Sequence, residues 1–405
     1  MSRKCLYPFT NIVVNPNGTA TPCCKYNINK TDENIEKETL YDKNIKELFF
    51  QPAMADIRQQ FNDGIEPKAC QICWDEEASG ITSMRQHRDN VAKWHPNHSS
   101  KYTGRYEDPK IITLDFKFSS LCNLKCRICG PYCSSKWLEE SQATGEFHEH
   151  TIKIFSKYAD RKFIDNEINF NIFKELIPDL QIIEFYGGEP LMQPEHDTIM
   201  NILKEYPDIE KYKIELCYNS NGTIYDQKVV DTWKKIELVE FNISIDDIGS
   251  RFEYQRFPAK WNTVLDNILK YKSNRGKNVK MNLYTTVSLY NIFYIDELIK
   301  FNAENFKLPL RFNLLHFPDK MSIKNLPLDI KNIIKSKIDI IPELHKQYID
   351  KLFGIDAVIN FMMNTEDSPD QYTEFVNTTE LHDNYRNESF ATTFSEYWSL
   401  LNVSN

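Results

Sequence analysis

The run Leu121-Cys122-Asn123-Leu124-Lys125-Cys126-Arg127-Ile128-Cys129-Gly130 places three thiols in one loop with the spacing C-x3-C-x2-C. Thiolates are preferred ligands of zinc and of iron–sulfur clusters. A closed four-iron cluster takes four cysteines. A set of three leaves one iron with an open position, and an open position is what separates a metal site built for reaction from one built for structure. Cys133 stands near enough in sequence to be a fourth ligand, which keeps a tetrahedral zinc site in play at this point.

A second group of thiols comes earlier. Cys5 is followed by twelve residues, Gly18, four residues and Cys23, and later by Cys70-Gln71-Ile72-Cys73. Cys5, Cys23, Cys70 and Cys73 would supply a second cluster with four thiolates, with Cys24 as the alternate to Cys23; a structural zinc ribbon would use the same four. Ten cysteines in all, eight of them before residue 130, in a chain whose N-terminus has no secretory apolar region, are expected to be metal ligands rather than disulfides.

These loops need strands to hold them. Lys110–Phe118 alternates apolar and polar residues at period two and runs straight into the three-cysteine loop, and Cys133 to about Gln142 reads as the start of a helix. Further strands are expected near 181–186, 213–219, 238–246, 279–287 and 309–316, with helices near 195–206, 226–236, 261–273 and 292–303. Alternation of this kind signals a parallel sheet with crossover helices, and a parallel barrel carries its chemistry at the carboxyl ends of its strands. At one such end lies Gly187-Gly188-Glu189-Pro190, whose glycines let the backbone approach a ligand closely. At another, period two puts Ser244 and Asp246 on one face.

Taken together, the C-x3-C-x2-C loop, the Gly-Gly-Glu-Pro turn and the Ser244-Ile-Asp246 strand end resemble the radical S-adenosylmethionine (radical SAM) enzymes. The resemblance covers roughly residues 5–318 and implies a partial (β/α)6 TIM-like barrel. It implies that Cys122, Cys126 and Cys129 hold a [4Fe–4S] cluster whose open iron binds SAM, and that reductive cleavage of SAM to a 5′-deoxyadenosyl radical serves to abstract a hydrogen atom from a substrate. By the same resemblance Gly187, Gly188, Glu189 and Pro190 hold the SAM amino group, Ser220 and Ser244 face the ribose, Asp246 contacts it and lines the substrate pocket, and Arg256 contacts SAM. Arg256 lies twelve residues past Ser244, as in the S-I-D-G-P-x3-H-D-x2-R pattern of peptide-modifying members, although Asp247 here replaces the Gly and Phe252-Glu253 replaces His-Asp. The Cys5-to-Cys23 spacing is similar to the opening of SPASM and twitch domains, which carry auxiliary [4Fe–4S] clusters, usually after the barrel rather than before it. The implied substrate is a peptide or protein side chain, the alternative being a carbohydrate or nucleotide-derived small molecule, and the implied electron donor is of flavodoxin or ferredoxin type. A rival of another class, a non-catalytic iron–sulfur or zinc protein, accounts for the cysteines but not for the Gly-Gly-Glu-Pro turn.

The 405 residues, 41% of them hydrophobic, suffice for two or three domains. The expected division is a twitch-like cysteine domain with linker at 1–105, the barrel at 106–318 and a mostly helical extension at 319–405. A net charge of −9 argues against broad electrostatic binding to nucleic acid, and the absence of a long apolar run argues for a cytoplasmic protein without membrane contact. His87, His95 and His98 are read as solvated linker residues, and Cys217 as a buried inert thiol in an apolar strand. Helical periodicity over 322–362 and the aromatic stretch from Phe390 to Trp398 are expected to pack against the barrel, with a cover over its mouth as the second possibility for the aromatics.

Overall fold

The computed structural model describes residues 4–27, 38–40, 42–78, 82–86, 102, 104–159, 167–351, 354–364 and 368–403. His87, His95 and His98 lie outside the described residues. The strands are β1 (Asn11–Val14), β2 (Ala20–Thr21), β3 (Thr113–Phe116), β4 (Ile182–Phe185), β5 (Glu215–Ser220), β6 (Leu238–Ser244), β7 (Val279–Val287) and β8 (Leu310–Leu314). They form one sheet in the order β2-β1-β3-β4-β5-β6-β7-β8. Every pairing from β1 to β8 is parallel, and β2 alone runs antiparallel, against β1. The helices used below are α1 (Pro52–Asn62), α2 (Gln71–Ala78), α3 (Trp137–Thr144), α4 (Pro194–Glu205), α5 (Gln227–Trp233), α6 (Gly249–Gln255), α7 (Trp261–Asn274), α8 (Ile295–Phe301) and α9 (Pro369–Arg386).

Period-two alternation sorts the strands into two faces. One rung places Phe116, Phe185, Tyr218 and Phe241 side by side on neighbouring strands, all fully buried against the helices. The adjacent rung places Asp115, Glu184, Cys217 and Glu240 side by side on the concave face. A parallel sheet covered on both faces is normally apolar on both, so a polar inner rung marks a lumen built to hold something other than side-chain core. The outer layer supplies the fold's stability: Val230 and Trp233 of α5, Val264, Ile268 and Tyr271 of α7 and Leu298 and Ile299 of α8 are buried on it. Local signals start these helices where the apolar pattern needs them. Asp226 caps α5 by accepting from Lys228 N at 2.7 Å and Val229 N at 3.4 Å, a cap worth about 1 kcal/mol.

The N-terminal segment is not set apart from the barrel sheet. Asn11 to Val14 pair in register with Thr113 to Phe116, so the sheet crosses the boundary expected at residues 105 and 106. Gly18, at φ 79°, makes the turn that reverses the chain between β1 and β2. That reversal brings Cys23 back alongside Cys5. On the far side of the module, Glu76 of α2 meets Lys25 and, at 3.4 Å, His316 just beyond β8. The module therefore contacts both edges of the open sheet. No helix among the described residues is long and apolar enough to cross a membrane.

The segment after β8 is helical, as its periodicity predicts. Phe390, Phe394 and Tyr397 are buried against Tyr254, Tyr290 and Phe293 of the barrel, so the aromatic stretch is packing.

Candidate active site

Cys122, Cys126 and Cys129 lie in the loop that leaves β3, at the carboxyl end of the sheet. Cys122 and Cys126 are buried and Cys129 is half-buried. The loop is fixed by backbone bonds to the end of α6, Lys125 N donating to Phe257 O at 2.7 Å and Arg127 N to Gln255 O at 2.8 Å. Trp137 Nε1 of α3 donates to Cys126 O at 3.1 Å. A hydrogen bond from Cys129 holds the Cys126 thiol below its ordinary range, with Arg256 and Arg386 adding to the effect, and raises Cys129 in turn. Burial pushes Cys122 up to about 12. A metal displaces the proton of a coordinating thiol even where, as at Cys122 and Cys129, the surroundings hold that proton on.

The Gly-Gly-Glu-Pro turn packs directly on this loop. A side chain at Gly188 would put its first carbon 2.2 Å from Leu121 O, and the residue sits at φ 54°. Only glycine meets both demands. Glu189 N donates to the same Leu121 O at 2.9 Å. The Glu189 carboxylate, expected to face an amino group, turns inward: it is fully buried and accepts from Ser220 Oγ at 2.9 Å, Asn221 N at 2.7 Å and Leu191 N at 3.3 Å. Its place is therefore as a bridge between the turn after β4 and the turn after β5. Burial pushes its pKa up to about 7. Pro190 is buried at the start of the short helix that follows, and Gly187 rests on the Lys117 side chain.

Ser220 is buried and committed to Glu189 and to Gly222 N. Ser244 is half-buried at the end of β6. Asp246 and Arg256 form a buried pair, Arg256 Nη2 lying 2.8 Å from Asp246 Oδ2, while Thr286 N donates to Asp246 Oδ1 at 3.0 Å. Burial raises the Asp246 pKa, and the Arg256 charge opposes the rise. Arg256 Nε is buried without a partner among the described residues, an orphaned donor beside Cys126 and Cys129 that suits a bound carboxylate. Asp247, standing where the family pattern has Gly, bonds Ile248 N at 2.8 Å and Arg251 Nε at 3.0 Å and so anchors the start of α6.

Sequence reasoning missed Asn123, Asn221 and Gln193. Asn221 Nδ2 donates to Asn123 Oδ1 at 2.9 Å and lies 3.8 Å from Cys122 Sγ. Gln193 Nε2 donates to Leu121 O at 3.0 Å while its Oε1 accepts from Ser119 Oγ at 2.7 Å. Asn123 inside the cysteine loop and Asn221 beside Ser220 are visible in the sequence, but only the meeting of the loops after β3 and β5, across the end of β4, makes them partners. Cys217 differs from its expected place. It lies on the lumen wall, half-buried, with Tyr186 Oη and Asn242 Nδ2 each 3.5 Å from its sulfur, because β5 turns Leu216 and Tyr218 outward instead.

In the N-terminal module, Cys5, Cys23, Cys70 and Cys73 line one small cavity, together with Tyr7, Tyr26, Phe61, Met84, Lys25 and Arg85. Cys70 and Cys73 present the same face because they stand three residues apart across the start of α2. Burial raises the Cys23, Cys70 and Cys73 thiols. Cys24 does not line the cavity; it is exposed, with its sulfur 3.5 Å from Met84 Sδ. Four thiols on one cavity are the ligand number a closed four-iron cluster takes, and the two cations beside them, Lys25 and Arg85, are paired with Glu76 and Glu77.

Two family models match the chain. The radical SAM superfamily model covers residues 116–301, and SPASM, an iron–sulfur cluster-binding domain, covers residues 5–74. Residues 116–301 are thus a radical SAM domain, preceded by a SPASM domain at residues 5–74. The chain's cofactors are accordingly iron–sulfur clusters and SAM. Solved structures similar to it include anSMEcpe with bound AdoMet, at 18% identity and TM-score 0.40, covering 56% of this chain and 59% of that one. Another is SuiB of Streptococcus suis bound to precursor peptide SuiA, at 13% identity and TM-score 0.39, covering 71% and 59%. The chain thus spans 59% of the length of each of these two proteins. No curated protein matches it.

Proposed function

We propose that this radical SAM protein is an enzyme that abstracts a hydrogen atom from a peptide or protein side chain held in the barrel lumen. The observation that carries the reading is the seating of Gly188 on the Leu121 carbonyl, which packs the glycine turn directly on the three-thiol loop at the end of the sheet that carries the polar rung. Cys122, Cys126 and Cys129 would hold the SAM cluster, and Cys5, Cys23, Cys70 and Cys73 an auxiliary one. When bound, the SAM cluster and SAM together supply a 5′-deoxyadenosyl radical by reductive cleavage. The chain's own part is to bind and orient. The backbone of Gly187 to Pro190 offers the close approach that an amino group needs, Arg256 offers its orphaned Nε to a carboxylate, and Ser244 stands at the strand end that would face the ribose. Asp115, Glu184, Tyr186, Cys217 and Arg311 would surround the reacting group below. Holding that group against the radical source converts the transfer to a unimolecular step and keeps water away.

Support for a peptide substrate is the SPASM match at residues 5–74. The working division of the chain is 1–105, 106–318 and 319–405, with the sheet shared across the first boundary. A flavodoxin- or ferredoxin-type protein would deliver the electron. Anaerobic, reduced protein incubated with SAM is expected to release 5′-deoxyadenosine. Absence of that product with an intact four-iron signal would overturn the reading and leave an electron carrier.

A further inference from the structure

Neither family model reaches past residue 301, yet the C-terminal helix α9 returns to the three-cysteine loop. Arg127, between the second and third cysteines, has a fully buried side chain. Its Nη2 donates to Asp383 Oδ1 at 2.6 Å and to Glu388 Oε2 at 2.9 Å, and its Nε donates to Tyr254 O at 3.2 Å. The guanidinium lies 3.5 Å over the Tyr254 ring, and Tyr254 Oη donates to the same Asp383 oxygen at 2.7 Å. On the other side of the loop, Lys125 Nζ meets Glu140 Oε2 at 2.7 Å, and the Glu140 carboxylate also accepts from Arg386 Nε at 2.9 and 3.1 Å.

Ionic contacts this deep are a poor way to dock a helix. Desolvation consumes most of their attraction, and apolar side chains of similar size would hold the helix as well or better. What such contacts do supply is a fixed position, since a buried charge tolerates only the geometry that pairs it. The loop they fix carries three thiols that, before a cluster forms, have no metal bonds of their own to order them. The charges are also balanced: Lys125, Arg127, Arg256 and Arg386 face Glu140, Asp246, Asp383 and Glu388. A cluster's reduction potential responds to nearby net charge.

We infer that the end of α9 and the turn after it form a positioning clamp for the cluster loop, with Asp383 and Glu388 holding Arg127 and Arg386 holding Lys125 through Glu140. The inference rests on the reading that Cys122, Cys126 and Cys129 carry the SAM cluster. It makes the C-terminal segment part of the machinery that presents the cluster.

The test compares wild type, the double variant Asp383→Asn/Glu388→Gln, and Asp383→Glu as the conservative control, all as full chains. In metal-free protein, hydrogen exchange of peptides spanning residues 119–130 is expected to speed up about a hundredfold in the double variant, with peptides of β5 to β7 unchanged. In reconstituted protein, an electron paramagnetic resonance titration is expected to move the cluster potential positive, because Arg127 loses its counter-charges. Asp383→Glu should stay near wild type in both. Should the double variant fail to fold, Arg127→Met removes the cation while Asp383 keeps Tyr254 Oη and Phe390 N, and the same loop exchange is read. Unchanged loop exchange, or an increase spread evenly over the sheet, overturns the clamp. A wild type that binds no iron at the barrel loop while the loop still loosens in the variant overturns the cluster assignment instead.

Discussion

Glu189 offers the sharpest test of how the site is assembled, because its carboxylate is sealed inside the protein and satisfied by the chain itself. It accepts from Ser220 Oγ at 2.9 Å and Asn221 N at 2.7 Å. Burial pushes its pKa from 4.5 up to about 7. Since the folded value lies above the unfolded one, the folded chain holds the extra proton between those two pH values. Stability is therefore greatest below pH 4.5 as far as this group is concerned, and falls as pH rises through 7. The rise, at 1.36 kcal/mol per pH unit, amounts to about 3 kcal/mol over the window. Glu189→Gln keeps an acceptor for Asn221 N and cannot titrate. In urea unfolding followed by tryptophan fluorescence between pH 5 and 8, the wild type should lose stability relative to the Gln variant by on the order of 3 kcal/mol. Glu189→Ala leaves the Asn221 amide and Ser220 hydroxyl buried without acceptors and should cost about 3–5 kcal/mol at pH below 6. Parallel pH profiles for wild type and Glu189→Gln would refute the argument, since they would mean that burial does not raise the carboxylate's pKa above the unfolded value.

Replacing Cys122, Cys126 and Cys129 together by Ala should abolish 5′-deoxyadenosine formation while circular dichroism stays that of the folded chain. Anaerobic reconstitution should load about eight irons per wild-type chain and about four in that triple variant, as two four-iron clusters require; one zinc and no iron in the variant would make the N-terminal module a ribbon. Asp246→Asn leaves the buried Arg256 without its counter-ion and should cost about 3–5 kcal/mol of stability, measured by denaturant unfolding. Cys24→Ser should leave the auxiliary iron content unchanged, because Cys24 lies outside the four-thiol cavity; a loss of four irons would reassign the ligand.

The features legible in the sequence are those carried by short range. The three-thiol loop, the glycine turn and the Ser244–Asp246 strand end are each a few residues long, and the strands and helices around them announce themselves through periods of two and 3.6. The six barrel strands from β3 to β8 accordingly lie where the alternation puts them. Periodicity cannot tell which of two faces becomes a lumen, and this is why Cys217 was expected in apolar surroundings although its alternate neighbours Leu216 and Tyr218 are the ones that meet the helices. Nor can it say what a carboxylate will meet. Glu189 bonds residues 31 and 32 positions away, and Arg127 bonds residues 256 and 261 positions away. Those distances in sequence are closed only by the stacking of parallel strands and the return of α9. The thiol spacings, then, already marked which residues could carry metal. Tertiary structure decided which polar groups face the ligand and which hold the loops that face it, because buried charges and donors must find partners wherever the fold brings them.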